Sequence, residues 1–562
     1  MKITVDFAKE NADYLVLFVF SIYCFFTISA YGQMTSCVNL CDISQPAAIV
    51  NSIYNGEGVT ADAYFKDTVS NYTFLQYAFF AYIAKITGLS PLLVVNYSGL
   101  MVLIISLIIC ILTLRLLQVG LFSRMFFIAA IAAYLAIQMT SSYFAQDGLY
   151  LALFLIIFCS LNYILKPNLK NALIAGIAGG FAGNMHLVIF AFVLPVILLL
   201  FALVWWKRRS LENTINGAIG ILVMLVILSP FILLLHNEYH FKVLSPWISH
   251  AGNVVGNPII FFLYEMQDVQ ITASIIFSIV IVLPVMSMIA RDYRNIGNIP
   301  DTSIYLYLIL TILILLSLNN IFLQPLLDLD LVPARFVYMY QAYLVFVSAI
   351  SIDKIFISER KTKIALFLFI ILCAYMVSIQ VESKKAEMVS LQITEKSMGE
   401  TAAWIRENTA PDSVFLGSMA ITSAIAALTG RNVVFTHFDH ANTYVDNDGR
   451  SADAAVIYFT SDAGLRRELL KKYEVEYLVI DSPNAGLFYT SVENREYLSR
   501  NGIVYAEVPF NYKNCYVRGY CNVNQIVVQE APISDDLLSL CKTPVQMLIG
   551  GQYPVYICKL EY

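Results

Sequence analysis

Hydrophobic positions along this chain fall in long runs, and only in the last third do they alternate with polar ones as in a soluble fold. A helix needs about 20 residues to cross the hydrocarbon core of a bilayer. Runs of about that length lie near 14–32, 92–114, 125–141, 147–165, 171–185, 187–206, 214–235, 270–290, 302–322, 336–352 and 363–381. They predict a polytopic α-helical membrane protein with about 11 TM helices. The pair at 171–206 reads either as two short helices hinged at Gly183-Asn184-Met185-His186, or as one long helix with a re-entrant piece. The first run is expected to stay as a span. The segment before it (Lys2, Asp6, Lys9, Glu10, Asp13) is long and mixed in charge, and no small-x-small cleavage site ends it.

Three parts break this pattern. The loop 33–91 holds an amphipathic stretch, Ser44 to Asn55, and a short apolar stretch, Phe74 to Ile86, with Gln76 and Lys85 inside it. The second stretch is too short and too polar to span and suits the membrane interface. The loop from His236 to Val269 is rich in Asn, Gly, Pro and His. After Val381 the composition changes, and 16 of the 35 Lys and Arg residues lie beyond it. There Glu400 to Asn408 has helical periodicity, Val414 to Gly417 and Asn432 to Phe435 read as strands, Leu465 to Tyr473 as a helix, and Glu476 to Ile480 as a buried strand. Alternating helix and strand predict a small α/β unit. The expected domains are therefore a transmembrane region, 1–381, whose outer loop 33–91 carries interfacial helices, and an α/β domain, 382–562.

Composition agrees. The chain is 59% hydrophobic and 13% charged, against about 45–50% and about 25% in soluble domains. A net charge of −5 with no basic stripe excludes a nucleic-acid partner. Lys and Arg in the short loops set the orientation. With the N-terminus inside, the cytoplasmic loops hold thirteen, from Arg115 to Lys363, and the opposite loops four: Lys66, Lys85, Lys242 and Arg335. This places the N-terminus in the cytoplasm and the C-terminal domain outside, in a multi-pass protein of the plasma or inner membrane. Six of the ten cysteines fall on the outer side: Cys37, Cys41, Cys515, Cys521, Cys541 and Cys558. An oxidising compartment favours disulfides there. Cys37–Cys41 is an expected pair, and the last four leave three connectivities open.

Candidate chemistry gathers on the same outer side. Asp42 precedes the amphipathic stretch, where Pro46 suits the first turn of a helix; alone, it reads as a helix cap or a solvated acid. Asp147 opens the fourth span, where a helix N-terminus favours an acid without any function. His186 lies at the hinge of the 171–206 pair and reads also as a satisfied core histidine. Arg335 begins the tenth span, either snorkelling to the interface or clamping an anionic lipid head group. His236 and His240 flank Glu238 but lack the order of a zinc protease. Asn71-Tyr72-Thr73 is a glycosylation sequon by pattern.

Several pieces in order resemble the GT-C superfamily of integral membrane glycosyltransferases, of the protein mannosyltransferase or aminoarabinose transferase type. Asp42 leads into a helix ending Asn55-Gly-Glu57, and a short interfacial helix gives way to Lys85-Ile-Thr-Gly-Leu-Ser-Pro91. A Gly-rich helix, Ala175 to Asn184, precedes a span ending Trp205-Trp-Lys-Arg-Arg209. Arg335-Phe336 opens a late span, and the tail begins Ala403-Trp-Ile-Arg-Glu-Asn, with Leu428-Thr-Gly-Arg431 following. The resemblance implies transfer of a sugar from a polyprenyl-phosphate donor to a glycan, lipid or protein acceptor beside membrane lipid. It implies Asp42 as the base, with Asp147 orienting the acceptor or sharing a divalent cation (Mg or Mn) with it. Arg335, His186 and Glu57 become substrate-binding residues. The competing readings are a transporter or flippase of lipid-linked sugars, a polymerase or ligase of lipid-linked glycans, and a non-catalytic receptor or scaffold. Ionisable groups at mid-span would mark a transporter; here the polar residues gather at one face.

Overall fold

The structure, a computed structural model, describes residues 11–32, 44–70, 74–138, 143–185, 187–240, 271–295, 298–318, 333–355, 364, 366–371, 373, 395–437, 441–442, 444–481, 484–485, 488–511, 522–528, 531–549 and 553–562. The chain forms two compact units. One comprises Met1–Ser29, Gly99–Leu233 and Val255–Met388; the other comprises Ala30–Ser98, Leu234–Val254 and Val389–Tyr562.

The first unit is helical. Its helices are α1 (Ala12–Gly32), then α4 (Pro91–Leu116), α5 (Leu121–Gln138), α6 (Tyr143–Leu165), α7 (Leu169–Gly183), α8 (Leu187–Arg208), α9 (Leu211–Tyr239), α10 (Ile271–Arg294), α11 (Asp301–Ser317) and α12 (Pro333–Ile355). Each meets one of the hydrophobic runs. Among the described residues, five helices are long and apolar enough to cross a membrane: Pro91–Leu116, Gly148–Leu165, Ile189–Arg208, Leu211–Tyr239 and Phe336–Ile355. Helix α7 ends at Gly183 and α8 begins at Leu187, two separate helices as in the first of the two readings of 171–206.

Sequence explains two features of these helices. Pro230 inside α9 lacks the N–H that the Val226 carbonyl would accept, and the Ser229 hydroxyl donates to that carbonyl instead, at 3.0 Å. Asn184, just past α7, donates to the Ile227 carbonyl of α9 at 2.8 Å. At the other end of the helices, the fully buried Asp13 accepts from Arg115 at 2.6 Å and forms an ion pair with Arg124 at 2.7 Å. Two of the loop cations thus tie α1 to α4 and α5, and a buried carboxylate so paired avoids the cost of an isolated charge.

The second unit holds α2 (Ser44–Asn55), α3 (Leu75–Thr87) and the whole tail. A five-stranded sheet runs β2 (Asn432–Val433), β1 (Val414–Leu416), β3 (Val475–Ile480), β10 (Tyr553–Leu560), β9 (Cys541–Ile549). The first three strands are parallel, and β10 runs antiparallel to both of its neighbours, β3 and β9. Parallel neighbours need a crossover; helix α14 (Met419–Thr429) supplies it between β1 and β2, and α15 (Asn447–Phe459) and α16 (Ala463–Lys472) lie between β2 and β3. Helix α13 (Glu395–Asn408) precedes β1. A separate three-stranded sheet pairs β5 (Tyr489–Ser491) with β7 (Asn522–Val528) and β6 (Tyr505–Asn511). One core joins these layers, with Leu416, Phe435, Ile457, Leu478, Phe488 and Ile526 in it. Cys541 and Cys558 form a disulfide across the β9–β10 pair, which settles one of the open connectivities. Cys37, Cys41, Cys515 and Cys521 lie outside the described residues.

Candidate active site

Of the residues expected to do chemistry, Asp42 and His186 lie outside the described residues, as does the sequon at Asn71. Asp42 stands two positions before α2 begins, and His186 one before α8. Asp147 is the fifth residue of α6 and Arg335 the third of α12.

Glu57 is described in full. Helix α2 was expected to be amphipathic, yet Ala47 through Ile53 are buried without a break, Asn51 and Ser52 included. The reason is α14, which packs along it. The Asn51 side chain donates to the Ala427 carbonyl and Asn55 to the Thr429 carbonyl, both at 2.6 Å. Both acceptors are last-turn carbonyls of α14, which have no partner within their own helix. Gly430 then turns the chain away with φ +64°. The segments Asn55-Gly-Glu57 and Leu428-Thr-Gly-Arg431, far apart in sequence, thus lie together.

Glu57 caps this junction. Its backbone N–H donates to the Ser52 carbonyl at 3.2 Å, and the Ser52 hydroxyl reaches its carboxylate at 3.5 Å. Burial raises the Glu57 carboxyl above the usual range, while a hydrogen bond from Asn432 and the charge of Arg431 pull it partly back. Arg431 itself is buried. It donates to the carbonyls of Arg406 (3.3 Å), Thr409 (3.0 Å) and Thr429 (3.2 Å), closing the ends of α13 and α14. A cation over helix C-termini is favourable.

A second polar centre was not singled out in the sequence. Asp62 is buried and accepts from the backbone N–H of Tyr64 (2.8 Å) and Phe65 (3.1 Å) and from the Asn442 amide (2.8 Å). Asn442 also donates to the Val69 carbonyl at 2.8 Å. The Tyr239 hydroxyl, at the end of α9, accepts from the Val69 N–H at 3.0 Å and donates to the Val69 carbonyl. Its ring stacks on Tyr444, centroids 4.9 Å apart. Burial raises the Asp62 carboxyl, and its three donors oppose that. The turn 60–70 docks further through Lys66, paired with Glu474 at 2.8 Å and Asp412 at 3.5 Å, and through the Val433 N–H on the Tyr64 carbonyl at 2.7 Å. The signal in the sequence was an Asp followed two residues later by aromatics, which is an Asx turn; the long-range partners carry none.

Among the described residues no three His, Cys, Asp or Glu side chains gather as a metal ion requires. The rings of His236 and His240 meet edge to face at 5.7 Å without a described third ligand.

The family described as "Dpy19: Q-cell neuroblast polarisation" matches residues 329–484. No curated protein matches the chain. The oligosaccharyltransferase of Archaeoglobus fulgidus in its apo form superposes with a TM-score of 0.50 and 14% identity, over 94% of this chain and 77% of that one. Its complex with Zn and sulfate gives 0.51 and 13%, over 93% and 76%. The arabinofuranosyltransferase AftD from Mycobacteria gives 0.52 and 12%, over 92% of this chain and 40% of that one. The chain has the GT-C fold. It is a polytopic membrane protein with a C-terminal sheet domain. The Dpy19 match opens before Arg335 and closes at β4 (Asn484–Ala485), taking in α12 to α16.

Proposed function

We propose that this chain is a membrane glycosyltransferase, moving a sugar from a polyprenyl-phosphate-linked donor to a glycan, lipid or protein acceptor on the extracytoplasmic side. The GT-C fold supports this most, since over nine-tenths of the chain it is the fold of two sugar-transferring membrane enzymes. In this reading the chain crosses the membrane eleven times, with 1–381 as the membrane domain and 382–562 as the outer domain. The excess of Lys and Arg in alternate loops supports that orientation.

Polyprenyl phosphate is already a good leaving group, so no strong general acid is needed. The bond between the anomeric carbon and the phosphate oxygen breaks, and the phosphate keeps the electron pair. Arg335, with His186 second, stabilises that developing charge. The acceptor oxygen bonds the anomeric carbon from the opposite face and loses its proton to Asp42. One carboxylate suffices for inversion, as with the base of inverting glycosidases. Asp147 orients the acceptor, and Glu57 holds substrate from the end of α2. A divalent cation would supply further charge compensation beside the carboxylates; the described residues do not form a site for one.

Asp42→Asn keeps the shape and removes the base. Sugar transfer should fall to background while expression and gel-filtration behaviour stay as in the wild type. Normal turnover by this variant would remove Asp42 from the mechanism.

A further inference from the structure

The loop cations of the helical unit divide into two kinds. Arg115 and Arg124 share Asp13, Arg291 has Asp292 at 2.9 Å, and Lys207 has Asp301 at 3.5 Å. Lys166, Lys170, Arg208 and Arg209 pair with no carboxylate among the described residues, and all four are exposed.

These four stand on two short turns. The first, Lys166 to Lys170, joins α6 to α7. It is held by the Asn171 side chain, which donates to the Lys166 carbonyl at 2.8 Å, and by the Asn168 side chain, which accepts from the Asn171 N–H at 2.9 Å. The second, Arg209-Ser210, joins α8 to α9. Arg209 closes α8 with φ +40°, its N–H donating to the Trp205 carbonyl at 2.7 Å, and Ser210 accepts from the Asn213 N–H at 3.1 Å. One contact brings the turns together: the Arg208 guanidinium donates to the Ile164 carbonyl, at the end of α6, at 3.2 Å. The acids facing them are Glu212, in the first turn of α9, and Asp301, which Lys207 already engages. Like charges gathered on two rigid turns repel one another, and an anion shared between them relieves this.

The surroundings say where that anion comes from. Helices α6, α8 and α9 each contain a stretch long and apolar enough to cross a membrane, and each has one end here. Trp205 is 53% exposed and Trp206 58%, beside exposed Leu165, Leu169 and Leu211. Lys207 lies over the Trp206 ring, 5.7 Å from its centroid. Exposed tryptophans at the end of a span belong where head groups meet acyl chains. A water-soluble anion would satisfy the cations and leave this apolar collar in water; a phospholipid satisfies both.

We propose that the two turns bind an anionic phospholipid, its phosphate held between Lys166, Lys170 and Arg209 and its acyl chains against Trp205 and Leu165. Arg208 keeps the two turns in register by its bond to α6. The site rests on the membrane-spanning fold and not on the sugar chemistry.

The test is native mass spectrometry of the full-length protein in detergent, titrated with dioleoyl phosphatidylglycerol or with dioleoyl phosphatidylcholine. The wild type should bind one phosphatidylglycerol at least about tenfold more tightly than phosphatidylcholine. Lys166→Gln/Lys170→Gln/Arg209→Gln should weaken phosphatidylglycerol by at least about tenfold and leave phosphatidylcholine unchanged. Arg294→Gln/Lys542→Gln/Lys559→Gln, which removes three exposed cations elsewhere, should change neither. Equal binding of the two lipids by the wild type, or equal loss in both triple variants, would overturn the proposal. So would displacement of phosphatidylglycerol by glycerol 1-phosphate at matched concentration, which would make the ligand a soluble phosphate. Should the first triple variant fail to fold, Lys166→Gln/Lys170→Gln decides: a loss of at least about threefold supports the site, and unchanged affinity removes it.

Discussion

Gly430 shows how one residue holds the α2–α14 junction. Its φ is +64°, and a Cβ there would come within 2.7 Å of the Asn51 carbonyl carbon and 2.8 Å of the Ser52 nitrogen. An L side chain in the left-handed region costs about 1–2 kcal/mol, and here backbone must also move. Gly88 is the comparison: its φ is +71°, but a Cβ would meet nothing within 4 Å. Gly430→Ala should therefore lower the thermal unfolding midpoint in detergent clearly more than Gly88→Ala. Equal shifts would mean that α2 is not held against α14 as described. The sequence pointed to both halves of this junction as separate segments. It could not show that they touch, because the contacts are side-chain amides on main-chain carbonyls that leave no periodic trace. Asp62 was missed for a related reason: an acid in a polar loop looks solvated until Asn442 and Tyr239 are seen around it.

At the scale of elements, α7 approaches α9 through its glycines. A Cβ on Gly176 would overlap the Gly220 carbonyl oxygen, one on Gly180 would lie 2.7 Å from Ile227 Cβ, and one on Gly183 would lie 2.5 Å from Leu228 Cδ2. Small residues at such spacing let helix backbones pack closely in membranes. Two effects compete in a Gly→Ala change: a helix gains about 1 kcal/mol of propensity, and overpacking costs about 1–3 kcal/mol. At Gly180 the clash should win, and Gly180→Ala should lower the unfolding midpoint. At Gly399 in α13 a Cβ meets nothing within 4 Å, so Gly399→Ala should raise it. Stabilisation by both would contradict the close α7–α9 contact. Much at this scale was legible. Helices stand where the hydrophobic runs stand, and β1, β3, α13 and α16 fall within a few residues of their expected places. The β9–β10 hairpin was not foreseen. Pro544 and Pro554 interrupt its apolar alternation, and its place beside β3 is set by pairings such as Ile557 with Val479, which join distant parts of the chain.

For the whole molecule, the fold and the chemistry rest on different footings. Superposition over nine-tenths of the chain, with TM-scores of 0.50–0.52 at 12–14% identity, shows the fold; donor and acceptor are a matter for experiment on this chain. The most direct test is sugar transfer by the purified wild-type protein in nanodiscs, supplied with a panel of polyprenyl-phosphate sugars and with lipid, glycan and peptide acceptors. The account predicts release of polyprenyl phosphate together with a glycosylated product from at least one donor. Saturable binding of a lipid-linked sugar without turnover of any donor would contradict it and point to a carrier or a non-catalytic relative with the same fold.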